Sequence, residues 1–290
     1  MENEKIGCAL ITCDRPEFYK KSLNSLLDVV QDKSIEYVVI NDGLEKLPFY
    51  PINFIETGGK KGVAVAKNLG LKFLIDNGCT HLFLMEDDIE IVDNNVFSEY
   101  IKTSKKTGIK HLNFGLHGNH NLNYDKTPNI ISTINYPNKI KIDLYSNLLG
   151  AFSYYHSDVI KKIGYIDEEY YLSMEHVDHT YKAIKNNFHP PFRYFADIHN
   201  SKNYLNDIVP DHQNSKIRNE SNFQEIFKTG LDLFIKKNGF SVVQGYGPEE
   251  TFVDEKTCRE KLKEIYHMTN ILPTAESTKL STKAYTSFSK

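Results

Sequence analysis

Two hydrophobic periods alternate along the first half of the chain. The runs IGCALIT (6–12) and EYVVIN (36–41) are apolar and rich in β-branched residues, which predicts two strands. Between them Leu23, Leu26, Leu27 and Val30 follow the i, i+3, i+4, i+7 spacing of a one-faced helix. Asp14 is placed to cap its start, and Pro16 suits its first turn, where no backbone N–H is needed. INFIE (52–56) predicts a weaker strand. A second helix covers about 63–77, with Val65, Leu69 and Phe73 on one stripe and Gly78 as its stop. HLFLM (81–85) then predicts a buried strand, and this alternation implies a parallel α/β sheet.

Beyond residue 100 the pattern loosens. Residues 111–130 form a polar, loop-rich insertion, and KIKIDLY (139–145) alternates as a strand should. YHSDVIKKIG (155–164) predicts a short helix stopped by Gly164, 174–188 a longer one, and FRYFAD (192–197) a strand. Helical patterns return at 222–240 and 255–268, before a Ser/Thr/Lys-rich end. These shifts divide the chain into a body of 1–205, a helical C-terminal extension of 206–270 and a flexible tail of 271–290.

Open α/β sheets bind ligands at the carboxyl ends of their strands. Three polar clusters fall there: Thr12 to Arg15, Asn41-Asp42-Gly43, and Glu86-Asp87-Asp88. Three consecutive acids repel one another, so their tolerance needs a cation nearby. Mg²⁺ and Mn²⁺ are commonly held by one or two carboxylates together with substrate phosphates. A plain acidic loop cap is the bland alternative.

Composition narrows the picture little. A net charge of −3 encodes no general pull toward nucleic acid or acidic membranes. The four cysteines lack metal-type spacing, which suits reduced thiols in a cytosolic protein. The N-terminus is too acidic for a signal peptide, and no window reaches the ~18 to 20 apolar residues of a membrane span. A cytoplasmic location is expected.

Five segments, in order, carry a resemblance: LITCDRPEFYKKSLNSLL, YVVINDG, GVAVAKNLGLKFLIDNGCTHLFLMEDD, LLGAFSYYHSDVIKKIGYIDEEYY and MEHVDHTYKAIKNNF. Together, over about residues 6–200, they resemble the family-2-like glycosyltransferases of the GT-A fold, which use nucleotide-sugar donors. The resemblance implies a Rossmann-like, mostly parallel central sheet flanked by helices, and a nucleotide-diphosphate sugar, a UDP-sugar foremost. It places Thr12, Arg15, Asp42, Lys67, Asn68 and Asp87 on the donor side. It makes Asp88, with Glu86, the ligand of Mn²⁺ or Mg²⁺, completed by His199. His212 is a lesser candidate, and His117 and His120 are too isolated to assign. Gly150 falls in a segment that lines the acceptor side, although a strand-end glycine explains it equally well.

The family commonly shows Glu-Asp-x-Asp where this chain has Glu175, His176, Val177 and Asp178. The general base is therefore His176, or Asp178 one turn on beside Glu175, or activity has been lost. The implied reaction is inverting transfer of a sugar to a hydroxyl acceptor such as a glycan or glycoconjugate. A modified nucleic-acid base or a protein as acceptor, a nucleotidyltransferase, and a non-catalytic nucleotide-sugar binder stay open. A nucleotidyltransferase would be expected to carry a Gly-rich phosphate loop, and none is found near the N-terminus.

Overall fold

The computed structural model describes residues 4–31, 34–208, 222–243, 247–248 and 251–265. Its first strand, β1 (Ile6–Thr12), sends Cys8 and Leu10 to one core and Ala9 and Ile11 to another, on opposite faces of one sheet. A sheet buried on both faces needs a layer over each. α1 (Pro16–Val30) covers the first with Leu23, Leu26 and Val30. β2 (Ile35–Asn41) and β3 (Phe54–Glu56) follow, and α2 (Val63–Asp76) covers the second face with Ala64, Leu71 and Leu74. Gly70 lets α2 come this close, because a Cβ there would meet Ala9 Cβ at 2.5 Å. β4 (His81–Glu86) completes a parallel set in the order β3-β2-β1-β4.

The chain then passes through β5 (Ile89–Ile91) and α3 (Val96–Thr107) to β6 (His111–Asn113), the far edge of the same sheet. β7 (Ser132–Asn135) and β8 (Lys141–Tyr145) leave it, and β9 (Phe152–His156) returns to lie antiparallel between β4 and β6. α4 (Ser157–Ile163) and α5 (Glu175–Lys185) follow. β10 (Phe195–Ile198) joins β8 and β7 in a three-stranded antiparallel sheet, and β11 (Leu205–Asp207) pairs with β5. α6 (Phe223–Asn238) packs Phe234 with Tyr170, Met174 and Tyr181, while α7 (Glu255–Ile265) buries Cys258 and Leu262 in the first core.

The α/β class and the mostly parallel, helix-flanked sheet are those the sequence implies. Local expectations differ in four places. Asp14 does not cap α1; its Oδ1 accepts from the Leu44 and Glu45 N–H groups at 2.6 and 2.8 Å. The stripe Val65, Leu69 and Phe73 is only half-buried, and α2 turns Ala64, Lys67, Asn68, Leu71 and Leu74 inward instead. Part of the 111–130 insertion is strand β6, its polar side chains buried in hydrogen bonds such as Asn113 Nδ2 to Ser153 Oγ at 2.8 Å. The acceptor-side segment contains β9, whose serine and tyrosines mask a strand. The tail at 271–290 and His212 lie outside the described residues.

The turn from α5 to β10 rests on His189. Its Nδ1 lies 2.8 Å from the Pro190 carbonyl, and the Ala196 N–H donates to Nε2 at 3.3 Å, which assigns the Nδ1–H tautomer. Burial pushes this imidazole down to about 4, against the pull of the Pro190 carbonyl. The unfolded chain takes up the proton near pH 6.5, so this contribution to stability is full above that pH and is lost toward pH 4. His189→Gln should cost about 1–3 kcal/mol at pH 8. That deficit should shrink as pH falls from 6.5 toward 4, as read from urea unfolding midpoints across the range; a constant deficit would contradict the assignment.

Candidate active site

The parallel register brings the three polar clusters to one edge of the sheet. Thr12 pairs with Asn41, and Ile11 with Glu86, so the residues that follow each strand emerge side by side. What makes three acids tolerable there is a pair of cations from the protein itself. Arg15 contacts Asp87 through one guanidinium nitrogen and Asp88 Oδ2 through the other at 2.9 Å. Thr12 Oγ1 donates to Asp87 Oδ2 at 2.6 Å. Burial, helped by the Asp88 charge, pushes the Asp87 carboxyl up to about 7 against the pull of Arg15. Glu86 has its own partner, Lys67 Nζ at 2.8 Å.

Lys67 sits on the inward face of α2 and is 2 % exposed. It also reaches Glu175 Oε1 at 3.0 Å, at the start of α5, and the Gly150 carbonyl at 3.2 Å, just before β9. Burial works against its charge, but Glu86 and Glu175 outweigh it and hold the ammonium above its usual range. The same contacts act in reverse on Glu175. Burial would protonate it, yet Lys67 and His176 keep its carboxyl well below the ordinary carboxylate range.

Glu175 in turn holds His176, whose Nδ1 lies 3.0 Å from Oε1. The ring packs where a side chain at residue 150 would stand: a Cβ on Gly150 would meet His176 Cγ at 2.8 Å. Gly150 thus makes room for the imidazole. Asp178 is used differently. It is 1 % exposed, accepts from Asn238 Nδ2 at 2.9 Å and pairs with Lys182 at 2.7 Å, tying α5 to α6.

The other candidates spread out. Asp42 accepts from Thr57 Oγ1, Lys61 N–H and Gly62 N–H, shaping the approach to α2. Asn68 clamps Ile166 through both its amide atoms, at 2.8 and 2.9 Å, and reaches Glu168. His199 pairs with Asp143 on β8 at 3.0 Å.

A cleft of about 350 Å³ opens over the strand ends, lined at one side by Arg15, Glu86, Asp88, His117, Glu175 and His176. Leu148, Phe192, Phe223 and Phe227 form its apolar side. Asp178 and His199 do not line it. His117 does, and sequence reading missed it because its partner Asp207 is far along the chain; no spacing rule connects the two. Nδ1 of His117 lies 3.3 Å from Asp207 Oδ2. Burial works against its charge, but Asp88, Asp207 and Glu86 push it up to about 9.

Among the described residues, no three His, Cys, Asp or Glu side chains form a group that would hold a metal ion. Asp88 Oδ1, however, is buried without a hydrogen-bond partner. One free carboxylate oxygen beside a cleft fits a hard cation whose remaining ligands are substrate phosphate oxygens and water. The arrangement can therefore place an oriented imidazole, a guanidinium and one anionic oxygen around a bound ligand.

No protein-family model matches the chain, and no curated protein matches it. Solved structures similar to it include S. aureus TarS 1-349, at 15% identity and a TM-score of 0.48, covering 90% of this chain and 70% of that one. Another is the mannosyltransferase PcManGT of Pyrobaculum calidifontis, in complex with GDP-Man and Mn²⁺, at 11% identity and a TM-score of 0.46. It covers 74% of this chain and 60% of that one. The Drosophila β1,4-galactosyltransferase 7 catalytic domain, in complex with xylobiose, matches at 11% identity and a TM-score of 0.39, over 63% of this chain and 62% of that one. Both of these named transferases are thus spanned for less than two thirds of their length. Among the described residues, no helix is long and apolar enough to cross a membrane.

Because Glu175 is 3 % exposed, removing its cation strands a charge that water cannot reach. Lys67→Met should lower stability by about 3–5 kcal/mol. Adding Glu175→Gln should recover part of that loss, and urea unfolding of the single and double variants checks both. A double variant less stable than Lys67→Met would contradict the buried pair.

Proposed function

We propose that the chain is a glycosyltransferase that moves a sugar from a nucleotide-diphosphate sugar, taken as a UDP-sugar, to an acceptor hydroxyl with inversion. The observation that carries the reading is the His176 imidazole, held at Nδ1 by buried Glu175, in one cleft with Arg15 and Asp88. The motifs of the sequence point the same way. Residues 1–205 would form the donor-binding body and 206–270 an extension beside the acceptor, taken to be a glycan or glycoconjugate. All four cysteines are free thiols, which suits the proposed cytoplasmic location.

In this mechanism Glu175 accepts a hydrogen bond from the Nδ1–H of His176, which leaves Nε2 with its lone pair. Nε2 takes the proton of the acceptor hydroxyl as that oxygen bonds to the anomeric carbon. The bond from this carbon to the diphosphate oxygen breaks on the opposite face, and the configuration inverts. Lys67 keeps Glu175 ionised, so the imidazolium that forms is stabilised. Arg15 has guanidinium N–H donors beyond those facing Asp87 and Asp88, and these are offered to the departing diphosphate. Mn²⁺ or Mg²⁺ at Asp88 Oδ1, beside Glu86, would supply Lewis-acid stabilisation of the same developing charge. Asp42 and Thr12, buried and bonded within the protein, shape the strand ends behind the cleft, and Asp178 acts as a structural tie.

Incubation with a panel of UDP- and GDP-sugars and candidate acceptors, followed by mass spectrometry, tests the reading. Transfer should need added Mn²⁺ or Mg²⁺, stop with a chelator, and be lost in Asp88→Ala; full transfer by that variant would rule out the site. His176→Gln should lower kcat about 10²–10⁴-fold. Gly150→Ala should also lower it, by displacing the ring. Asp178→Asn should keep kcat within a fewfold while lowering the unfolding midpoint. The reverse pattern would move the base to Asp178.

A further inference from the structure

His117 has no part in the chemistry above, yet it lines the cleft beside Arg15, Glu86 and Asp88. Its place is built from several elements. β11 pairs with β5 so that Asp207 stands opposite Ile89, the residue after Asp88. The Ile208 N–H donates to the Asp88 carbonyl at 2.7 Å, which ties the end of β11 to the acidic corner. Asp207 Oδ2 accepts from the Gly118 N–H at 2.5 Å and lies 3.3 Å from His117 Nδ1. The segment carrying the ring is pinned a second time: the Gly115 N–H donates to buried Asp197 at 2.9 Å, and Asn121 Nδ2 bridges the Gly115 and Asn147 carbonyls.

We infer that His117 is a donor-binding residue, its Nδ1 facing Asp207 so that Nε2–H is presented to the diphosphate of the nucleotide sugar. This deepens the proposed glycosyl transfer and rests on it. The charges at the strand ends supply the reason. Lys67 is committed to Glu86 and Glu175, and Arg15 is shared between Asp87 and Asp88. With both cations engaged, a diphosphate entering beside three acids gains from a further N–H donor on the cleft wall. His117 lines the cleft with Arg15, Glu86 and Asp88, and its side chain keeps 26% exposure. A histidine serving only to fasten Asp207 to the loop would not need that opening.

The test compares binding of UDP with uridine, and of GDP with guanosine, by wild type and His117→Gln at pH 7 and one fixed Mg²⁺ concentration. Calorimetry serves the diphosphates and NMR titration the weaker nucleosides. The variant should lose about tenfold or more in diphosphate affinity, the loss of a charge-assisted hydrogen bond. Nucleoside affinity should stay within twofold, so the diphosphate-to-nucleoside ratio falls. An unchanged ratio, or a parallel loss of both ligands, would overturn the inference and leave His117 as a fastener of its loop. If wild type binds neither diphosphate, the donor reading itself falls and takes this one with it. His117→Lys, which keeps a cation, should preserve the ratio and replaces His117→Gln as the reporter should that variant not fold; a collapsed ratio in a folded His117→Lys would also count against the inference.

Discussion

A single buried ammonium joins the parts of the site. Lys67 leaves the inward face of α2 and meets a carboxylate at the end of β4, a carbonyl before β9 and a carboxylate at the start of α5. Burying such charges is costly unless each is paired and hydrogen-bonded. Once paired, they can only be satisfied in one arrangement of the three elements. The position of α5 over the strand ends follows from this, and with it the position of His176. Glu175 remains charged in a buried place because Lys67 is there, and the imidazole keeps its orientation because Glu175 is charged.

The acidic corner shows the same logic with less burial. Glu86, Asp87 and Asp88 are neighbours in sequence but are sent to different partners, Lys67, Thr12 with Arg15, and Arg15 alone. Only Glu86 lies in β4; Asp87 and Asp88 follow in the turn to β5, where Arg15 reaches both. What remains is one carboxylate oxygen of Asp88 without a partner. In the proposed transfer, a site whose repulsion is partly cancelled from within would take an anionic donor with less penalty, and the remaining oxygen would be open to a cation arriving with it. The β5–β11 ribbon adds a second tier, carrying Asp207 to the same corner.

Several parts were legible in the sequence alone. Thr12, Asn41 and Glu86 end apolar runs, and continuous apolar runs alternating with helical patterns imply parallel strands with such ends aligned. Glu175 and His176 were marked by the departure from an expected acid pair. Other parts were not. Lys67 is expected on the donor side, but nothing local says that α2 buries it between two carboxylates. Asp178 and His176 are equivalent by spacing alone, and they separate only when α6 brings Asn238 to one while Gly150 makes room for the other. His117 sits in a stretch with no periodicity, and its partner arrives from a strand near the end of the body.

By itself, then, the sequence determined the alternation of strands and helices, the edge at which chemistry gathers and the identity of the acids there. Local periodicity and turn chemistry act over a few residues, and those features are written within that range. Tertiary structure decided which acid each cation neutralises, which of two candidate bases faces the cleft, and which histidine joins the acids. Those choices depend on contacts between residues far apart in the chain, where burial and Coulomb energy, not spacing, select the partner.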